Sequence, residues 1–146
     1  MAETTDDVRR DIELTRERME AADAWQDKLK AYVEVRLDYL ETHQDFLRIY
    51  LAVVRSMMVQ GMRMKPDLFH CIRESEGRLA QVFAGAIAKK EIRPVDPDLA
   101  ALTLSDLTRG LMERRLLGWS RPVGRSDAEF ALDVLCRALA VWLISG

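Results

Sequence analysis

A chain of 146 residues, 49% hydrophobic and 32% charged, has the make-up of one globular domain with a well-buried core, which excludes a disordered segment. Its net charge of −2, with acids and bases interspersed, supplies no field strong enough to attract nucleic acid or a membrane surface. No apolar run reaches the ~18 residues that cross a bilayer, and the acidic start MAETTDDVRR is no signal peptide, so a reducing cytoplasm is the expected location.

Seven glycines and four prolines fall at plausible helix ends. Between them the apolar residues recur with a period of 3.6 and never alternate for long, so the fold class is all-α. Thr4-Thr5-Asp6-Asp7 can cap a first helix. Its stripe of Val8, Ile12, Thr15 and Met19 is thin, so residues 1–26 read as a weakly packed N-terminal helix. A break is possible around Ala22–Trp25. From Trp25 the pattern strengthens, and Leu29, Tyr32, Val33, Arg36, Leu37 and Leu40 share a core face. Residues 27–146 form the main domain.

Thr42-His43-Gln44-Asp45 reads as the next cap. The following FLRIYLAVVRSMMVQ is apolar on nearly all sides, which predicts a central helix surrounded by others. Gly61 closes it. Pro66 opens a helix to about Glu91, with Phe69, Ile72, Leu79, Val82, Phe83, Ala86 and Ile87 on its buried face. Arg93-Pro94 ends that region. Asp96-Pro97 starts a long helix carrying Leu99, Leu102, Thr103, Leu107, Gly110, Leu111 and Leu117. Ala100, Ala101 and Gly110 would let another helix approach closely. After the loop SRPVGR (120–125), Ser126-Asp127-Ala128-Glu129 is a capping box. The last helix displays Phe130, Val134, Leu135, Ala138, Leu139, Trp142 and Leu143. An antiparallel bundle of five to six helices is the expected architecture.

Chemistry-bearing motifs are sparse. Cys71 and Cys136 fit no disulfide or zinc spacing and read as buried free thiols. His70 and Glu74 stand one turn apart, but two ligands on one helix make a weak metal site. There is no phosphate-binding glycine loop and no Gly-x-Ser-x-Gly elbow. No metal, cofactor or enzymatic activity is expected. Met57, Met58, Met62 and Met64 lie close together. They read either as core filling or as the lining of an apolar cavity. Arg109, Arg114 and Arg115 sit on the long helix, and Arg114-Arg115 reads as a solvated or salt-bridged pair rather than an anion clamp. An inward-facing arginine would need a partner.

The stretch AIAKKEIRPVDPDLAALTLSDLTRGLMERR (86–115) resembles the middle of the ligand-binding domain of TetR-type transcriptional regulators. KLKAYVEVRLDYLETHQDFLRIYLAVV (28–54) is similar to the first two helices of that domain, and SDAEFALDVLCRALAVWL (126–143) to its last. The resemblance implies an effector-binding and dimerisation module. A small, mostly apolar or amphipathic effector would sit among the middle helices, near Tyr50, Met57, Met58, Phe83 and Trp119. The last two helices would form a homodimer. The family's helix-turn-helix head, roughly fifty residues, has no counterpart in residues 1–26, so no direct DNA binding is expected of this chain. The alternative is a helical dimerisation protein without a ligand, pairing with a full-length regulator.

Overall fold

The computed structural model describes residues 2–61, 66–118 and 125–140. They form an all-α bundle of six helices: α1 (Ala2–Ala21), α2 (Trp25–Thr42), α3 (Gln44–Val59), α4 (Pro66–Ala88), α5 (Pro97–Leu117) and α6 (Arg125–Leu139). The only extended pairing among them is an isolated bridge between Ile92 and Ala140.

The helix ends follow local chemistry. Asp96 caps α5: its side-chain oxygen accepts from the backbone N–H of Asp98 at 2.9 Å and of Leu99 at 3.3 Å. Such a cap is worth about 1 kcal/mol. Pro97 occupies the first turn, where a missing N–H costs nothing. Gly118 stops α5 at φ 63°, and Gly61 follows α3 at φ 69°, both in the left-handed region that glycine enters without strain. The turn after α4 instead uses Lys90 at φ 59°. The N–H of Glu91 reaches back to the carbonyl of Ala86 at 2.9 Å. This turn delivers Ile92 into the core at 2% exposure. Arg93 N–H then bonds the Leu139 carbonyl at 2.8 Å, tying the turn to the end of α6.

The break before Trp25 is present, and α1 and α2 are separate helices. α1 begins at Ala2, ahead of the predicted cap. Its second half is held firmly, because Thr15 and Met19 are both buried against the rest of the bundle. α2 is the central element and touches each of the other five helices. Leu29, Tyr32, Val33, Val35 and Leu40 are buried along it. Leu29, Tyr32 and Val33 join Leu79, Phe83 and Ala86 from α4, Ala100, Ala101 and Leu104 from α5, and Ala128, Leu132 and Leu139 from α6 in one core.

Two expectations need correction. The apolar helix after residue 45 is peripheral, not central. Only Leu47 of α3 is buried, while Ile49, Val53, Met58 and Val59 lie open. α5 is also rotated from its leucine stripe. Ala100 and Ala101 face inward and let α4 and α5 pack closely, whereas Leu99, Leu102, Leu107 and Leu117 are exposed. Gly110 plays no part in that approach, since a Cβ there would meet nothing within 4 Å. Helix period alone identifies an apolar face but not which element covers it.

Candidate functional site

The site begins with one charged residue on the core face of α2. Arg36 sits among apolar neighbours with its side chain 16% exposed. Burying such a charge requires a partner. Asp11 of α1 provides it, its Oδ2 lying 2.5 Å from Arg36 Nη1. The same guanidinium donates to Thr15 Oγ1 at 3.0 Å and to Ser75 Oγ of α4 at 2.9 Å. Its carbon lies 4.8 Å from the centre of the Tyr32 ring, a cation–π contact. Arg36 thereby ties α1, α2 and α4 together. Burial pushes the Asp11 carboxyl above its ordinary value of 3.8; Arg36, and more weakly His43, oppose that shift.

Beside this cluster lies a half-open cavity of about 210 Å³ bordered by the first five helices. α1 contributes Val8 and Ile12, and α2 contributes Tyr32 and Tyr39. α3 lays Phe46, Leu47, Tyr50 and Leu51 across one side. α4 contributes Ser75 and Glu76, and α5 contributes Ser105, Thr108, Arg109 and Met112. All three tyrosines of the chain line this space. Phe46 and Tyr50 stand 6.1 Å apart, tilted by 31°. Tyr39 stacks on His43 at 4.1 Å, at the junction between α2 and α3. The Tyr39 hydroxyl is buried and has no hydrogen-bond partner.

The other polar groups of the wall are engaged. Ser105 donates to Glu76 Oε1 at 3.3 Å. Thr108 turns its hydroxyl back to the Leu104 carbonyl at 2.8 Å. Arg109 pairs with Asp106 on its own helix. Burial raises the Tyr50 hydroxyl pKa, and the Arg109 charge opposes that rise. An Arg55–Glu113 bridge of 3.1 Å spans from α3 to α5. Being exposed, it contributes little stability. The cavity therefore offers apolar and aromatic walls and charges of both signs in equal number.

A larger groove, about 640 Å³, runs between the α1–α2 turn and α4. Its charged rim is held by surface contacts: Arg16 bridges Glu13 and Glu20, Lys28 donates to the Met19 carbonyl, and Arg78 pairs with Glu74. Among the described residues no three His, Cys, Asp or Glu side chains converge as metal ligands. Cys136 is a free, half-buried thiol, and burial, with a smaller contribution from Asp133, pushes its pKa up.

Of the residues expected at a ligand site, Tyr50 lines the cavity. Met57 is half-buried outside the cavity wall. Met58 is 71% exposed and faces solvent. Phe83 is fully buried in the core, away from the cavity. Trp119 lies outside the described residues. The sequence reading missed Phe46, Leu51, Tyr39 and Met112. The signal for the neighbouring polar cluster was present in Arg36, the one charge on the apolar face of α2.

No family model and no curated protein matches the chain. Among solved structures, it is similar to a protein of unknown function from Rhodococcus sp. RHA1, with a TM-score of 0.74 at 17% identity. The match covers 94% of this chain and 69% of that chain. A likeness at this identity establishes the shared all-α fold and leaves the activity to be argued from the site.

Proposed function

We propose that the chain is the effector-binding and dimerisation module of a TetR-like transcriptional regulator, sensing a small, mostly apolar or amphipathic molecule. The observation that carries this reading is the cavity itself. Space left between packed helices forfeits dispersion contacts along its walls. A cavity lined by four aromatic rings and bordered by a fully paired polar cluster is suited to a ligand. Its place among the middle helices is where the resemblance to the family puts the effector.

The dimer would form through α5 and α6. Leu99 and Leu102 on α5 and Phe130 and Val134 on α6 are exposed, a surplus of apolar surface with no cover among the described residues. In a regulator, a ligand shifts helices and so changes the spacing of paired DNA-binding heads. The described N-terminal segment is one helix packed on α2, not such a head, so operator binding by this polypeptide is not expected. Catalysis is not expected either, and the proposed location is cytoplasmic. No described helix is long and apolar enough to cross a membrane.

The second reading, a dimerisation protein without a ligand, draws on the same exposed leucines. Thermal melting against a library of lipophilic molecules separates the two. A ligand at a hundredfold excess over Kd stabilises the folded state by about 2.7 kcal/mol, which raises the melting temperature of a domain this size by several degrees. Met112→Trp fills the cavity and is expected to abolish the shift. Silence across the library would leave only the dimerisation reading. Light scattering on the same samples is expected to give the mass of a dimer at tens of micromolar (about that range suffices for an interface of standard size). A monomer mass would reject the dimer.

A further inference from the structure

We propose that the cavity selects an uncharged, single-ring aromatic molecule bearing one hydrogen-bonding substituent, a ligand of the alkylphenol type; this rests on the ligand-binding reading above. Three observations converge on that class.

The first is the wall. Tyr32, Tyr39, Phe46 and Tyr50 all border one small space. Aromatic rings prefer tilted or offset contact with other rings, and Phe46 and Tyr50 already stand in such an arrangement. A flat ring with a short alkyl tail has aromatic partners here and aliphatic ones in Val8, Ile12, Leu47, Leu51 and Met112, whereas a long flexible acyl chain would lose more rotamer freedom on entering.

The second is size. A cavity of about 150 Å³ holds benzene, and this one is about 210 Å³. That admits one ring with a short substituent. Drug-sized ligands need pockets of roughly 300 Å³ or more.

The third is charge. Asp11 and Glu76 border the cavity on one sign, Arg36 and Arg109 on the other. Arg36 is committed to Asp11, Arg109 to Asp106, and Glu76 accepts from Ser105. The two carboxylates and two guanidiniums balance in number, so the wall presents no net charge that would draw in an anion or a cation. A neutral ligand disturbs none of these pairs. One polar substituent still has a use, because Tyr50, half-buried on this wall, carries a phenol hydroxyl that can donate to it or accept from it.

Calorimetric titration of the full chain with four probes tests this. They are 4-ethylphenol, tyramine with its added ammonium, 4-hydroxyphenylacetate with its added carboxylate, and the acyclic n-octanol. The expected result is that 4-ethylphenol binds about tenfold or more tightly than each of the others, within the discrimination an apolar pocket achieves. Phe46→Ala and Met112→Trp are each expected to remove that binding while circular dichroism shows an intact helical fold. Tighter binding of tyramine or 4-hydroxyphenylacetate would overturn the neutral class, and tighter binding of octanol would overturn the aromatic class. In those outcomes the ligand-binding reading survives. If none of the four binds, the inference fails, and the lipophilic library decides whether the ligand-binding reading fails with it.

Discussion

Replacing Phe83 by alanine is expected to lower the unfolding free energy by about 3–5 kcal/mol. The ring is fully buried on α4, in the same cluster as Leu29, Leu79, Ala101 and Leu104. Truncation removes its apolar contacts and leaves a void that the surrounding helices fill only in part. Domains of this size are commonly stable by roughly 5–15 kcal/mol, so the loss is a large fraction of the total. Met58→Ala is the matched control. Its side chain is largely in solvent, so the change is expected to stay within about 0.5 kcal/mol. Urea denaturation of both variants checks the pair. A Phe83 variant as mild as the Met58 one would contradict the position of Phe83 at the centre of the bundle.

Arg36→Ala is expected to have an effect of similar size, about 3–5 kcal/mol, by a different route. It leaves the half-hidden Asp11 carboxylate without its counter-charge and removes donors to Thr15 and Ser75. The pH dependence identifies the cause. Burial already raises the folded-state pKa of Asp11 above 3.8, and Arg36 restrains that rise. Without Arg36 the pKa goes higher. The folded state then holds a proton more tightly than the unfolded state, so stability falls as pH rises through the folded pKa. The deficit is therefore full at neutral pH and shrinks as pH falls toward the ordinary aspartate range. Adding Asp11→Asn to Arg36→Ala is expected to recover stability at neutral pH and flatten the profile. Denaturant midpoints across pH measure it. An Arg36 deficit that persists unchanged in acid would assign the loss to packing rather than to the buried charge.

The parts of the fold set by local chemistry were legible in the sequence. Asp96-Pro97 and Gly61 mark helix ends because capping and left-handed backbone are properties of single residues. The α2 face from Leu29 to Leu40 was legible because its apolar stripe is narrow and continuous. α3 misled for the opposite reason. A helix apolar on several sides can be buried in its own core or face outward, and composition does not distinguish the two. The leucines of α5 gave the stripe, yet the alanines gave the packing, since close approach to α4 favours small side chains. The site suffered accordingly. Tyr50 lines the cavity, Met58 of the same helix faces solvent, and Phe83 lies in the core. Arg36 stood in plain view as a charge on an apolar stripe, but its partners Asp11 and Ser75 lie on two other helices, beyond the reach of local spacing.

Methyl-detected nuclear magnetic resonance during titration with 4-ethylphenol, or with the strongest binder from the lipophilic library, tests the central claim most directly. Met112 of α5 and Leu51 of α3 border the cavity, while Met58 faces solvent. Ligand in the cavity predicts saturable shifts of the Met112 and Leu51 methyls with Met58 unmoved. Shifts confined to Met58, or no saturable shift at Met112 and Leu51, would contradict a ligand site between these helices.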